Sequence, residues 1–325
     1  MVVPFLNPYR LSHPHDEGQM CGLKPMVKVM IETAPIVLFA FNRPEHTRRT
    51  LSALKQNHLA DRSLLFIYID GPKADFTEAQ IQKINVVKEV AKEEQWCSEV
   101  KIIESKANKG LAVSVIEGVT EVVNKFGTVI VLEDDLVPDK WFLKFMNDAL
   151  TLYENENEVV CVTGYIYPVD KPLPNNFLLK GADCWGWATW KRGWDSFEND
   201  GNKLLTELVT KNFTSDFDFY SSYPYVQMLK DQIAKKNNSW AILWYSSAYL
   251  KNKYTLYPGH SLIHNIGFDG SGIHSGTSTN FDVKLLDKEL KVEKLDIEEN
   301  KEAKKIIAEY FRNIQQNPRI FFLKK

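Results

Sequence analysis

Residues 129–138 read VIVLEDDLVP: four apolar residues run into Glu133, Asp134 and Asp135, and the chain then turns apolar again. Adjacent carboxylates repel one another, and at the end of a buried strand that repulsion must be offset by a cation or by protonation. A divalent ion is the simpler solution. Hard oxygen ligands favour Mg²⁺ or Mn²⁺, ions that keep one or two carboxylates and complete their shell with substrate phosphates, a geometry suited to a departing diphosphate. The bland reading is a solvated acidic loop ahead of a helix, with Asp139 as the N-cap before Lys140 and Trp141.

Two further stretches carry residue types that could serve such a reaction. NIGFDGSGIHSG (265–276) holds four glycines in twelve residues beside Ser271 and His274, so its backbone can approach a ligand closely or hinge as a lid. It is not a P-loop, because Gly-Lys-Ser/Thr is missing; the alternative is a surface loop with a solvated histidine. CWGWATWKRGW (184–194) contains Trp185, Trp187, Trp190 and Trp194, half of the eight tryptophans. Sugars present apolar C–H faces and a rim of hydroxyls, which an aromatic wall suits. Large aromatics equally pack cores, and at least two of the four are expected there.

The elements that must position these residues follow from periodicity. PIVLFAF (35–41), LLFIYID (64–70), VKIIES (100–105) and TVIVL (128–132) are short apolar runs of strand type. Between them, NRPEHTRRTLSAL places Pro44 in a first helical turn with Leu51 and Leu54 inward. TEAQIQKINVVKEVAKE opens with Thr77 and Gln80 at capping-box spacing and lines Ile81, Ile84, Val87 and Ala91 along one face. A third helical stretch closes at Gly127. Strands alternating with helices imply an α/β fold: a mostly parallel sheet flanked by helices, with ligands beyond the carboxyl ends of the strands. Asp70 and the acidic triple both fall at such ends. After a helix near 140–153 and a strand at 159–164 the chain becomes loop-rich and aromatic, and 300–313 reads as a terminal helix.

Composition bounds the rest. The 325 residues are 44% hydrophobic and 25% charged, ordinary for a globular chain, and the formal net charge of -2 gives no general attraction to nucleic acid or anionic lipid. Cys21, Cys97, Cys161 and Cys184 form no CxxC pair, so neither a zinc site nor a disulfide framework is expected and a reducing, cytoplasmic setting fits. Residues 1–32 mix Pro, Gly, His and Met without period and are expected to form a loose arm. The tail PRIFFLKK sets Ile320, Phe321, Phe322 and Leu323 beside Arg319, Lys324 and Lys325; burial against the domain and peripheral contact at the inner membrane face are its two readings.

In order along the chain, the first strand, FNRP, YIDG, NKGLA, LEDD, WGWATW and SWAILWYSSAYL…YPGHSLIHNIGFDGSGIH resemble glycosyltransferases of the GT-A fold over roughly 34–276. The likeness is to bacterial family 2-type enzymes of surface-polysaccharide synthesis and, more distantly, to the animal N-acetylglucosaminyltransferase that starts complex N-glycans and carries an EDD motif. It implies one GT-A domain at 33–282, with a nucleotide-binding half (33–139) and an acceptor half (140–282), then a helix and tail at 283–325. It further implies a nucleotide-sugar donor, UDP-sugar favoured, a glycan or lipid-linked acceptor, and Mn²⁺ or Mg²⁺ on Asp135. Glu133 and Asp134 would face the donor's ribose and sugar, and Arg43, Asp70, Asn108 and Lys109 would surround the nucleotide. Trp185, Gly186 and Trp187 would lie near the transferred sugar, with Ser271 and His274 closing over the diphosphate. Singly, Arg43 also reads as a surface residue, Asp70 as a turn former, and Asn108 with Lys109 as plain loop.

An inverting displacement also needs a general base. The animal enzyme places an aspartate before a tryptophan where this chain has Asn238, whose amide cannot accept the proton. Asp231 is the first substitute, followed by Asp195 and Asp183, each of which also reads as a solvated carboxylate. Two alternatives remain: a sugar-phosphate nucleotidyltransferase, opposed by the absence of glycine in FAFNRPEH, and a catalytically silent glycan-binding module, kept open by Asn238.

Overall fold

The computed structural model describes residues 33–271 and 277–316. The expected arm at 1–32, the tail at 318–325 and His274 lie outside the described residues. The strands are β1 (Ile36–Ala40), β2 (Leu64–Ile69), β3 (Glu99–Glu104), β4 (Thr128–Glu133), β5 (Leu136–Pro138), β6 (Val159–Thr163), β7 (Asn176–Lys180), β8 (Trp187–Trp190), β9 (Tyr254–Pro258) and β10 (Ile263–Asn265). The helices are α1 (Pro44–Lys55), α2 (Glu78–Lys92), α3 (Leu111–Phe126), α4 (Phe142–Leu152), α5 (Lys191–Trp194), α6 (Gly201–Thr210), α7 (Thr214–Phe217), α8 (Tyr225–Ile233), α9 (Trp240–Leu250) and α10 (Lys301–Gln316).

Eight strands form one sheet in the order β3-β2-β1-β4-β8-β6-β9-β7, and β5 pairs with β10 in a small second sheet. The run β3-β2-β1-β4 is parallel throughout, while β8 and β7 run against their neighbours. The result is the expected mixed, mostly parallel α/β sheet, and it continues unbroken across the 139/140 boundary through the β4–β8 pairing. Every residue of β1 is buried, as its continuous apolar run requires of a strand covered on both faces. Leu51, Leu54, Ile84 and Val87 pack beneath one face of the sheet with α4. Val115, Val119, Val122 and Val123 of α3 cover the other, together with Trp240 and Trp244 of α9.

The local signals act as expected. Thr77 and Gln80 form a reciprocal capping box at α2, and Gly127 ends α3 with φ +83°, a conformation glycine adopts without steric cost. Ile81 is only half-buried; the buried stripe runs through Val90 instead. The edge strand β3 is guarded by exposed Glu99, Lys101 and Glu104. The opposite edge, β7, is covered: Asn300 N donates to Leu178 O at 2.8 Å, and Lys180 N to Glu299 Oε1 at 3.2 Å. Just beyond, Lys304 of α10 is 1% exposed and ion-paired with Asp216 at 2.8 Å and Glu299 at 3.2 Å. No helix among the described residues is long and apolar enough to cross a membrane.

Candidate functional site

β1 lies beside β4 with Phe39 opposite Glu133, so the turn after β1 reaches over the acids that end β4. Arg43, the last residue before α1, donates from one guanidinium nitrogen to Asp134 Oδ1 and, at 2.8 Å, to Asp135 Oδ2. Thr50 Oγ1 of α1 donates to Asp134 O at 2.9 Å, which fixes the turn from its other side. The guanidinium of Arg43 supplies a positive charge to the acids from within the chain. Burial and the charges of Asp135 and Asp134 push Glu133 up to about 8. Burial pushes Asp134 up to about 6 against the opposing pull of Arg43, while the two aspartates hold Arg43 protonated above its ordinary value in spite of burial.

The glycine loop and the acidic triple, far apart in sequence, are brought together. β10 pairs with β5, and Ile266 N donates to Asp135 O at 2.9 Å. A side chain at Gly267 would strike the Asp135 carboxylate. Farther along the loop, Asp269 Oδ2 lies 3.2 Å from His46 Nε2 of α1 and Asp269 Oδ1 accepts from Ser271 N at 2.9 Å. Ser271 is exposed and makes no contact with the acids among the described residues.

Asp70, Asn108 and Lys109 also converge, at the carboxyl ends of β2 and β3. Asp70 Oδ1 accepts from Gly71 N (2.9 Å) and Lys109 N (2.8 Å), and Oδ2 from Asn108 Nδ2 (2.8 Å) and Gly110 N (2.9 Å). Four donors saturate the carboxylate, so Asp70 holds the 108–110 loop and is engaged within the protein. Lys109 Nζ reaches outward to Glu117 at 2.7 Å.

Of the aromatic segment, Trp185 alone meets the cleft. It packs edge-on against Tyr165 (4.6 Å between centroids), Phe268 of the glycine loop (5.6 Å) and Phe281 (5.6 Å). Gly186 supports it from behind: φ is +64°, and a Cβ would lie 2.5 Å from Ile263. Trp187, expected near a sugar, is instead 0% exposed, enclosed by Trp194, Trp240 and Trp244. β8 is central in the sheet, and alternation sends Trp187 into the helix layer.

The candidate bases separate by topology. β8 runs against β4, with Trp187 opposite Val131 and Trp190 opposite Thr128, so residues after β8 emerge at the wrong end. Asp195 therefore lies about 17 Å, the length of β4, from the acids, exposed and paired with Lys191 at 2.6 Å. Asp231 sits on α8, bound to Gln227 (3.0 Å) and near Lys236 (3.6 Å), with no contact to the acidic tip. Residues before β8 emerge at the right end. Asp183 accepts from Cys184 N (2.6 Å), Trp185 N (3.3 Å) and Tyr257 OH (3.1 Å), and burial raises its pKa. Burial raises the pKa of the adjacent Cys184 thiol well above its ordinary value, and the charges of Asp183, Glu133 and Asp135 add to it.

No three His, Cys, Asp or Glu side chains among the described residues converge as a ready metal cage. The donor set fits a different arrangement: Asp135 accepts Arg43 on Oδ2, and no hydrogen bond from the described residues reaches Oδ1. One protein carboxylate completed by phosphate oxygens is the shell that Mg²⁺ and Mn²⁺ accept. Sequence reading missed that Arg43 serves the acids, that His46 ties down the glycine loop, and that Tyr257 and Phe281 complete the cleft; none of these pairings has a local signal.

No protein-family model matches the chain, and no curated protein sequence matches it. Solved structures do. The crystal structure of S. aureus TarS matches with TM-score 0.38 and 11% identity over 73% of this chain, which spans only 37% of the TarS chain. Mouse xyloside xylosyltransferase 1 matches with TM-score 0.29 and 13% identity, over 53% of this chain and 71% of its own. A UDP-glucose pyrophosphorylase in its apo form matches with TM-score 0.35 and 11% identity, over 71% and 93%. These are remote likenesses among sheet-and-helix proteins, and the chemistry of the site rests on this chain's own residues.

Proposed function

We propose that the chain is a metal-dependent glycosyltransferase that moves a sugar from a nucleotide-sugar donor, UDP-sugar favoured, to a hydroxyl of a glycan or lipid-linked acceptor with inversion. The observation that carries this reading is the convergence, at the carboxyl edge of the sheet, of Asp134 and Asp135 with Arg43 and the glycine loop. In this reading Asp135 holds Mn²⁺ or Mg²⁺ together with the donor's phosphates, and the ion supplies neutralisation of the departing diphosphate. Arg43 orients the Asp135 carboxylate and adds a fixed positive charge beside that diphosphate. Glu133, whose carboxyl is pushed up by burial and the two neighbouring aspartates, faces the donor's ribose and sugar. Trp185 offers the apolar wall for the sugar. Asp183, with one oxygen capped by two backbone N–H groups and the other by Tyr257, takes the acceptor's proton, and its burial makes it a stronger base.

A nucleotidyltransferase is disfavoured because the turn after β1 carries Arg43, engaged on the acids, where a phosphate-binding glycine loop would belong. The silent glycan-binding reading rests on Asn238, which is exposed. Calorimetric titration with UDP-, GDP- and dTDP-sugars, with and without Mn²⁺, tests the proposal. Donor binding that requires Mn²⁺ and is lost in Asp135→Ala is expected; binding indifferent to both removes the transferase reading.

A further inference from the structure

Apart from the acidic cleft the chain has a concavity of about 640 Å³ between the first turn of α6 and the connection from α8 to α9. Five of its lining residues carry side-chain amides: Asn237, which is tied into the rim, and the four others, Asn199, Asn202, Gln232 and Asn238. None of the four makes a side-chain hydrogen bond to another described residue, whereas the rim is held: Asn237 donates to Met228 O at 3.2 Å and accepts from Ser239 N at 3.1 Å. The floor is Ile233, which packs so closely on Gly201 that a Cβ there would lie 2.8 Å from it. The charges nearby are engaged: Asp200 caps α6 through Asn202 N and Lys203 N, and Lys236 lies 3.6 Å from Asp231.

We propose that this groove is a binding subsite for a neutral glycan chain. A carboxamide offers a donor pair and an acceptor at fixed spacing, the match for vicinal sugar hydroxyls, and an apolar floor suits a C–H face. Charge does not compete for the role: of the groove's charged lining residues, Asp200 caps α6 and Lys236 lies near Asp231, which leaves Lys235 without a carboxylate partner among the described residues. The groove also opens in the right place. The Asn238 amide lies 3.9 Å from where a Cβ of Gly110 would stand, and Gly110 is bound to Asp70 at the carboxyl edge that also carries the acids. The identification of the glycan as the acceptor rests on the transferase reading; the binding itself does not.

Saturation-transfer NMR with maltotetraose, cellotetraose and chitotetraose, and with a sulfated tetrasaccharide as the anionic arm, tests it. The full chain should show transfer to at least one neutral probe, and Asn202→Ala/Gln232→Ala, which removes no internal hydrogen bond, should weaken it at least tenfold with an unchanged melting temperature. Asp135→Ala should leave the signal intact. Silence with every neutral probe, preference for the sulfated one, or binding unchanged in the double variant overturns the proposal. Nucleotide-sugar titration of the same proteins reads separately: lost donor binding in the wild type sinks the transferase and leaves the groove standing.

Discussion

Gly267 leaves room for Asp135: any side chain at 267 would strike the carboxylate that Arg43 also holds. The smallest addition, Gly267→Ala, should therefore rotate Asp135 away from Arg43. Both partners flank the β5–β10 ribbon and lie outside the large sheet, so the core should survive. Nucleotide-sugar affinity in Mn²⁺ should fall at least tenfold, with circular dichroism unchanged; undiminished affinity would show that the position of Asp135 does not matter.

Arg43→Met leaves two aspartates without their cation. Arg43 holds Asp134 down against burial, and Asp134 still sits near 6, so removal raises it further. A carboxyl whose folded pKa exceeds its unfolded value binds its proton more tightly in the native state and loses stability as pH climbs between the two. The variant should lose about 3 kcal/mol at pH 8 and clearly less at pH 5, by urea denaturation. An equal loss at both values would contradict the ion pair.

Glu133→Gln should act in the opposite direction. Burial and two neighbouring carboxylates push Glu133 up to about 8, so in the metal-free wild type its ionisation lowers stability progressively from about pH 4 to 8. Glutamine has no proton to lose. The variant should match the wild-type melting temperature near pH 5 and exceed it by roughly 3 °C or more at pH 9, in buffer with chelator. A constant offset across that range refutes the strained carboxyl.

Asp70→Asn tests the loop anchor. An amide nitrogen in place of Oδ2 cannot accept from Asn108 and Gly110, and hydrogen bonds to a charged acceptor contribute about 1.5–3 kcal/mol each. We expect a loss of about 3 kcal/mol and faster hydrogen exchange at 108–111. Unchanged exchange there would mean that the loop is held by other contacts.

For the base, Asp183→Asn should lower donor hydrolysis about a hundredfold or more with donor affinity unchanged, while Asp195→Asn and Asp231→Asn stay within about twofold. A large loss in Asp231→Asn alone would move the role to α8.

The sequence by itself determined the alternation of strand and helix. Runs such as Ile36–Ala40 are apolar because both faces are covered, and caps such as Thr77 with Gln80 are local hydrogen-bonding patterns. It also placed Asp70 and Glu133–Asp135 at strand ends, since that follows from where an apolar run stops. Tertiary structure decided what those residues meet. Strand order set Arg43 on Asp134 and Asp135, and the antiparallel insertion of β8 sent Asp195 to the far edge and Asp183 to the near one. The same insertion buried Trp187 and left Trp185 at the cleft. Periodicity reports which face of an element is apolar; it carries no information on which distant element arrives to cover that face, and the charges around a carboxylate depend on that arrival.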